Sequence, residues 1–239
     1  MPCHTRNALG GVTLAAMASN HQPPVRPAPQ RAVLYFDVIS PFVYLLDAAL
    51  RRDPLPLAIE RRPVLFAALL DAHGQKGPAE IAAKRAFTYR HCAWTARSLG
   101  IAFRMPAVHP FNPLRYLRLI IALGSTATVI STVVDALFTT GDDPDDPATF
   151  ERLALRLGLS DPQSGAAPAV KQALRENTDA AIAAGVFGVP TLLINDQLFW
   201  GMDSLPMVRE WLAGGGAWPS PDIAAAGEVP IGTVRPAVR

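Results

Sequence analysis

Apolar residues crowd the segment Ala32-Val33-Leu34-Tyr35-Phe36, and after Asp37 the run continues through Val38 and Ile39 to Ser40-Pro41. A run this rich in β-formers, without helical spacing, reads as a buried strand. A serine followed by proline reads as the N-cap and first residue of a helix. The pattern therefore predicts a strand that hands Ser40 to the N-terminus of a helix over 41–52.

Beyond that point the spacing of apolar positions turns helical. Helices are predicted near 79–99, 113–123, 127–138, 147–157 and 167–184, with Gly100 and Gly124 as C′ residues and Asn112-Pro113 as a helix start. Leu119 to Phe138 has the length of a membrane span, but Gly124, Ser125, Thr126, Thr128, Ser131, Thr132 and Asp135 dilute it. Two buried helices joined near Gly124-Ser125 fit better. Near the C-terminus the pattern becomes a strand over Thr191–Asn195, a turn at Asp196-Gln197, a second strand over Leu198–Trp200 and a helix from about Asp203.

The two ends differ from this middle. Pro23, Pro24, Pro27 and Pro29 mark residues 1–30 as an unstructured extension, and Gly10, Gly11 and Thr13 break the apolar stretch that a signal peptide needs. Disorder, or an over-extended start with Met17 as the initiator, is the expectation. The stretch 214–239, rich in Gly, Pro and Ala, reads as an irregular tail.

Half of the 239 residues are hydrophobic and 18% are charged, enough to bury one core. A net charge of +2 gives no support for a nucleic-acid contact, and pairs such as Arg51-Arg52 and Arg61-Arg62 read as solvated surface. Cys3 and Cys92 make neither a disulfide framework nor a metal site, which favours a reducing compartment. Cys92, beside Trp94, reads as a small buried residue. His4, His21, His73, His91 and His109 show no ligand spacing, and the aspartates of Gly141 to Pro147 lack the order of a calcium loop, so no metal is assigned.

Chemistry enters where the predicted strand meets its helix. A helix N-terminus stabilises a thiolate through its dipole and unpaired N–H groups, and thioredoxin-type oxidoreductases place the first cysteine of Cys-x-x-Cys there. Here Ser40 to Val43 contains no sulfur. Far downstream, Gly185-Val186-Phe187-Gly188-Val189-Pro190 precedes an apolar strand, and Val189-Pro190 is a candidate cis-proline. Together the two segments resemble the DsbA-like branch of the thioredoxin fold, particularly kappa-class glutathione transferases and 2-hydroxychromene-2-carboxylate isomerases, over roughly residues 31 to 213.

That resemblance implies an α/β protein, thioredoxin-like with an inserted all-helical subdomain. The thioredoxin-like part would take residues 31–65 and 185–213, and the helical insertion residues 66–184. It also implies glutathione as cofactor, with Ser40 as the activator of its thiol. The backbone of Val189 beside Pro190 would pair with the cysteinyl part, and Asp203 after Gly201-Met202 would receive the γ-glutamyl amino group. Lys84 and Gln75 would lie near the peptide, Lys84 against a carboxylate. Read without the resemblance, Ser40 is an ordinary N-cap, Asp203 a cap of the last helix and Lys84 a solvated lysine.

Three positions depart from the family pattern. Gln75 stands where asparagine is usual, Phe87 where relatives often carry tyrosine, and Met202 where a small or polar residue is common. The segment His109-Pro110-Phe111-Asn112-Pro113 resembles the bacterial isomerases, which implies that His109, Phe111 and Asn112 face an aromatic acid. Phe42 and Trp200 suit a flat substrate and equally a core. Arg85 and Arg115 are alternative partners for the substrate carboxylate.

The expectation is a cytoplasmic glutathione-dependent isomerase of aromatic-compound catabolism, with no nucleic-acid or membrane partner and a homodimer left open. A kappa-like transferase or peroxidase, or a noncatalytic DsbA-like peptide binder, are the alternatives.

Overall fold

The computed structural model describes residues 30–159 and 166–233. The expectations for residues 1–30, Cys3 included, lie outside the described residues except at Gln30. The first strand, β1 (Gln30–Phe36), runs into α1 (Pro41–Arg52), as the apolar run ending at Ser40-Pro41 predicts. Every residue from Leu34 to Val38 is buried, so this strand lies in the middle of the sheet.

Its parallel neighbour, β2 (Leu57–Pro63), was not legible as a strand because Glu60, Arg61 and Arg62 interrupt the apolar pattern. An edge strand tolerates such charges, and they discourage pairing with another chain. The other side of β1 is taken by β3 (Thr191–Ile194), antiparallel to β1, and β4 (Gln197–Trp200) completes the hairpin, giving the order β2-β1-β3-β4. The short α2 (Phe66–Ala72) follows β2 and was also absent from the predicted set.

The helix predicted over 79–99 is divided. A single 3-10 turn over Pro78–Glu80 is closed by the Glu80 carboxylate on the Gly77 N–H, the chain is extended at Ile81, and α3 (Ala82–Ser98) follows. Next come α4 (Leu114–Ala122) and α5 (Ala127–Thr139). Gly124 and Ser125, both at positive φ, turn the chain between them, and the Thr126 hydroxyl caps α5 on the Val129 N–H. Among the described residues no helix is long and apolar enough to cross a membrane. The aspartates between α5 and α6 (Pro147–Arg156) serve the turn itself: Asp143 accepts from Asp145 N–H, Asp146 caps α6, and Asp142 pairs with Arg152.

The long α7 (Pro168–Ala183) packs on both α4 and α2, and the Thr178 hydroxyl accepts the Leu65 N–H. A polar tie joins α1 to α5: Asp47 accepts from the Ser131 hydroxyl at 3.1 Å, and Arg51 bridges Asp47 and Asp135. After a 3-10 turn over Met202–Ser204, α8 (Leu205–Ala213) covers the hairpin through Leu205, Val208 and Trp211. The stretch after Gly214 is not wholly irregular, contrary to expectation. Ser220 caps α9 (Pro221–Ala226), and Trp218 packs against Phe199, a contact that Gly and Ala content could not reveal.

Candidate functional site

Ser40 sits in extended backbone (φ −87°, ψ 118°) at the entry to α1, as an N-cap should, yet its hydroxyl caps nothing. It is buried, and it turns instead to the Val189 carbonyl, 3.4 Å away. Because Pro41 has no N–H, Phe42 offers the first free donor at this helix start, while the Val43 N–H bonds to the Ser40 carbonyl. The end of the helix dipole is thus left for another acceptor.

The partner segment arrives from the other end of the chain. Val189-Pro190 is a cis peptide bond, as its place before an apolar strand suggested. Within the described residues nothing accepts the Val189 N–H, while its carbonyl faces the Ser40 hydroxyl. The Pro190 carbonyl accepts from Gly201 N–H at 2.9 Å, which brings the β4 end against the proline loop. Gly201, at φ +85°, then swings the chain into the turn of Met202 and Asp203. Met202 packs on the core, whereas Asp203 is exposed and has no ion pair or hydrogen bond among the described residues. It does not cap α8, whose N-cap is Ser204.

Aromatic rings flank the two loops. Trp200 is 54% exposed, so it is not a core residue; it meets Phe187 edge to face at 5.1 Å and lies directly over Gly188. Phe42 meets His91 of α3 at 5.9 Å, and His91 in turn neighbours the exposed Phe87 and Trp94. Lys84 and Gln75 are both exposed, and no hydrogen bond or ion pair joins either to the Ser40 cluster.

The 109–112 segment departs from expectation. His109 is brought against the site, but both ring nitrogens are engaged, Nε2 with the Ile39 carbonyl at 2.7 Å and Nδ1 with the Tyr89 hydroxyl at 2.6 Å. Burial holds its pKa below the ordinary value. Phe111 is only 4% exposed and packs edge to face on His109 and Tyr116, so it belongs to the core. Asn112 lies one residue before Pro113, the N-cap of α4, rather than capping the helix itself; its side chain accepts the Leu114 N–H, and its own N–H donates to Asp145. Arg115 is spent on the Pro144 and Asp146 carbonyls and lies over the Tyr116 and Phe150 rings, which leaves Arg85 as the freer of the two arginines considered. These corrections share one cause, because a Pro-bracketed loop is as easily packed inward as outward.

Two neighbours of the site went unassigned in the sequence. Asp37 is buried, and its carboxylate accepts from Ile39 N–H at 3.0 Å and Phe66 N–H at 2.9 Å. Burial pushes its pKa up to about 7, against the lowering effect of those two N–H groups. An acid inside an apolar run was the available signal. Tyr89 left no such trace. Cys92 is fully buried, its thiol pushed up to about 12 by desolvation, and takes no part in the site.

A cis-proline beside a helix N-terminus at one end of a four-stranded mixed sheet defines a thioredoxin-fold protein, here with serine in place of the attacking cysteine. The chain belongs to the DSBA-like thioredoxin domain family, which it matches over residues 32–213. Glutathione S-transferase kappa 2 of Caenorhabditis elegans is 28% identical over 210 residues, covering 77% of this chain and 93% of the relative. A 2-hydroxychromene-2-carboxylate isomerase of Pseudomonas putida is 28% identical over 190 residues, covering 73% and 90%. The solved selenomethionine structure of 2-hydroxychromene-2-carboxylate isomerase superposes with a TM-score of 0.66 at 24% identity, covering 83% of this chain and 98% of that one. The family and fold read from Ser40-Pro41 and Val189-Pro190 are borne out.

Proposed function

We propose that the protein is a glutathione-dependent isomerase acting on small aromatic acids. The observation that carries this reading is the Ser40 hydroxyl, released from capping and turned to the Val189 carbonyl, at a helix start whose residues 40–43 hold no sulfur. Such a site suits a thiol brought by a ligand. The relatives named as a kappa glutathione transferase and as isomerases support the same choice.

The residues present fit glutathione. The Val189 N–H and carbonyl suit its cysteinyl amide, as an added strand would be held. The unpaired carboxylate of Asp203 suits its γ-glutamyl ammonium, and Lys84 and Gln75 are the candidates for its remaining carboxylate and amide. When bound, glutathione supplies the nucleophilic thiol that this chain lacks.

Ser40 then works by hydrogen bonding. With glutathione bound, the Ser40 hydroxyl and the Phe42 N–H would donate to its sulfur and favour the thiolate over the thiol. Phe42 and Trp200 are the candidate aromatic partners for a flat substrate, and Arg85, which donates to the Ala79 carbonyl, is the candidate cation for its carboxylate. The matching reaction is reversible opening of a cyclic hydroxy acid to its conjugated keto isomer, with the thiol returned unchanged.

The test follows the ultraviolet spectrum of 2-hydroxychromene-2-carboxylate together with a thiol titration. Equilibration with the open-chain 2-hydroxybenzylidenepyruvate at constant free thiol, under substoichiometric glutathione, is the expected result. Loss of thiol in proportion to product indicates a transferase, and an unchanged spectrum overturns the isomerase reading.

A further inference from the structure

His109 is held at both ends of its ring. The Ile39 carbonyl has only lone pairs to offer, so the Nε2 that approaches it at 2.7 Å carries the hydrogen. Burial disfavours the imidazolium, so Nδ1 keeps its lone pair and accepts from the Tyr89 hydroxyl at 2.6 Å. The Tyr89 oxygen also lies 2.9 Å from the carbonyl of His109 itself, and the two rings meet at 85°. With both nitrogens occupied, His109 is not free to serve as a base toward substrate.

What it holds is the peptide unit that delivers Ser40. The Ile39 carbonyl and the Ser40 N–H are two halves of one plane. The Ser40 N–H donates to the Asp37 carbonyl at 3.0 Å, and the Ile39 N–H donates to the Asp37 carboxylate at 3.0 Å. Asp37 therefore secures one side of the loop. His109, backed by Tyr89 of α3, secures the other.

We propose that Tyr89 and His109 are positioning residues for Ser40: a hydroxyl–imidazole–carbonyl chain from the helical insertion fixes the Ile39–Ser40 peptide and so the direction of the Ser40 hydroxyl. Its consequence for thiol activation rests on the glutathione reading; the chain itself does not. The insertion thus acts on the thioredoxin-like half by a route that needs no contact with the ligand.

Three variants test this. Tyr89→Phe removes one oxygen and keeps the ring, His109→Ala removes the chain, and His109→Gln restores an N–H donor close to the Nε2 position. In the ligand-free protein, the Ser40 amide resonance moves in Tyr89→Phe and His109→Ala and returns toward the wild-type position in His109→Gln. With glutathione, the midpoint of the thiolate titration in His109→Ala moves up by about one on the pH scale, roughly a tenfold loss of thiolate below the midpoint. The kcat for isomerisation falls with it while the KM for glutathione stays within about twofold, and His109→Gln recovers most of both. An unmoved Ser40 amide in the first two variants, or His109→Gln no better than His109→Ala, overturns the proposal. If wild-type protein leaves the thiolate titration of glutathione where it lies in free solution, the glutathione reading fails, and the Ser40 amide alone decides the positioning role. Tyr89→Phe serves that purpose even where His109→Ala does not fold.

Discussion

The Ser40 hydroxyl reaches the Val189 carbonyl, 3.4 Å away and 149 residues distant in sequence, rather than the N–H groups of its own helix. A serine at an N-cap ordinarily stabilises its helix by about 0.5–2 kcal/mol. Here that role is vacant, and the contact made in its place is long. Ser40→Ala is expected to change stability by no more than about 1 kcal/mol in urea unfolding. The thiolate titration of bound glutathione should move to higher pH in the same variant. A large loss of stability with an unmoved titration would return Ser40 to a purely structural role.

Gly188 and Trp200 are related by a close approach. A Cβ on Gly188 would collide with the Trp200 indole, which lies over this residue. Gly188→Ala is expected to push the ring off the cis-proline loop at a cost of about 1–3 kcal/mol. Tryptophan fluorescence should report the displacement, and the KM for the aromatic acid should rise more than that for glutathione. Equal changes in both would show that Trp200 does not distinguish the two ligands.

How much of this was legible beforehand depended on whether neighbours or distant partners decide the outcome. Pro41, Pro147 and Pro168 open helices that the sequence marked to within a residue or two, because proline at a first turn is a local signal. The cis bond at Val189-Pro190 was legible for the same reason. β2 was not, since Glu60-Arg61-Arg62 carries no alternation, and only its pairing with β1 makes it a strand. The site divides likewise. Ser40 and Val189 could be brought together through the family resemblance, whereas the inward packing of Phe111 and the contact of Tyr89 with His109 depend on how α3 and α4 lie against the loop.

Cys92 gives a chemical test of the absent dithiol. Desolvation raises its pKa to about 12, and it is fully buried in α3. Its thiolate fraction at neutral pH is therefore negligible. Alkylation at this residue should be slow in native protein and become rapid only in denaturant, as followed by mass spectrometry. Insulin reduction should show no turnover that depends on Cys92. Rapid native labelling, or such turnover, would contradict the burial argument.

Asp37 sets a pH dependence whose sign runs against the usual carboxylate. Burial raises its pKa from 3.8 to about 7 in the folded chain, so between those values the folded state holds a proton that the unfolded state has released. The stability contribution of Asp37 therefore falls as pH rises through this window and is level above about 7. Across the whole window the loss amounts to about 4 kcal/mol, since each tenfold change in proton affinity is worth about 1.4 kcal/mol. Asp37→Asn cannot titrate, and its amide NH2 must face one of the two N–H donors, from Ile39 or Phe66, that the carboxylate now accepts. The variant is thus expected to be less stable than wild type at pH 4, with the gap narrowing by up to about 4 kcal/mol by pH 8. Urea unfolding of both proteins across this range measures the gap. A constant difference would mean that the Asp37 carboxyl titrates alike in folded and unfolded chains, and that the two N–H groups offset its burial.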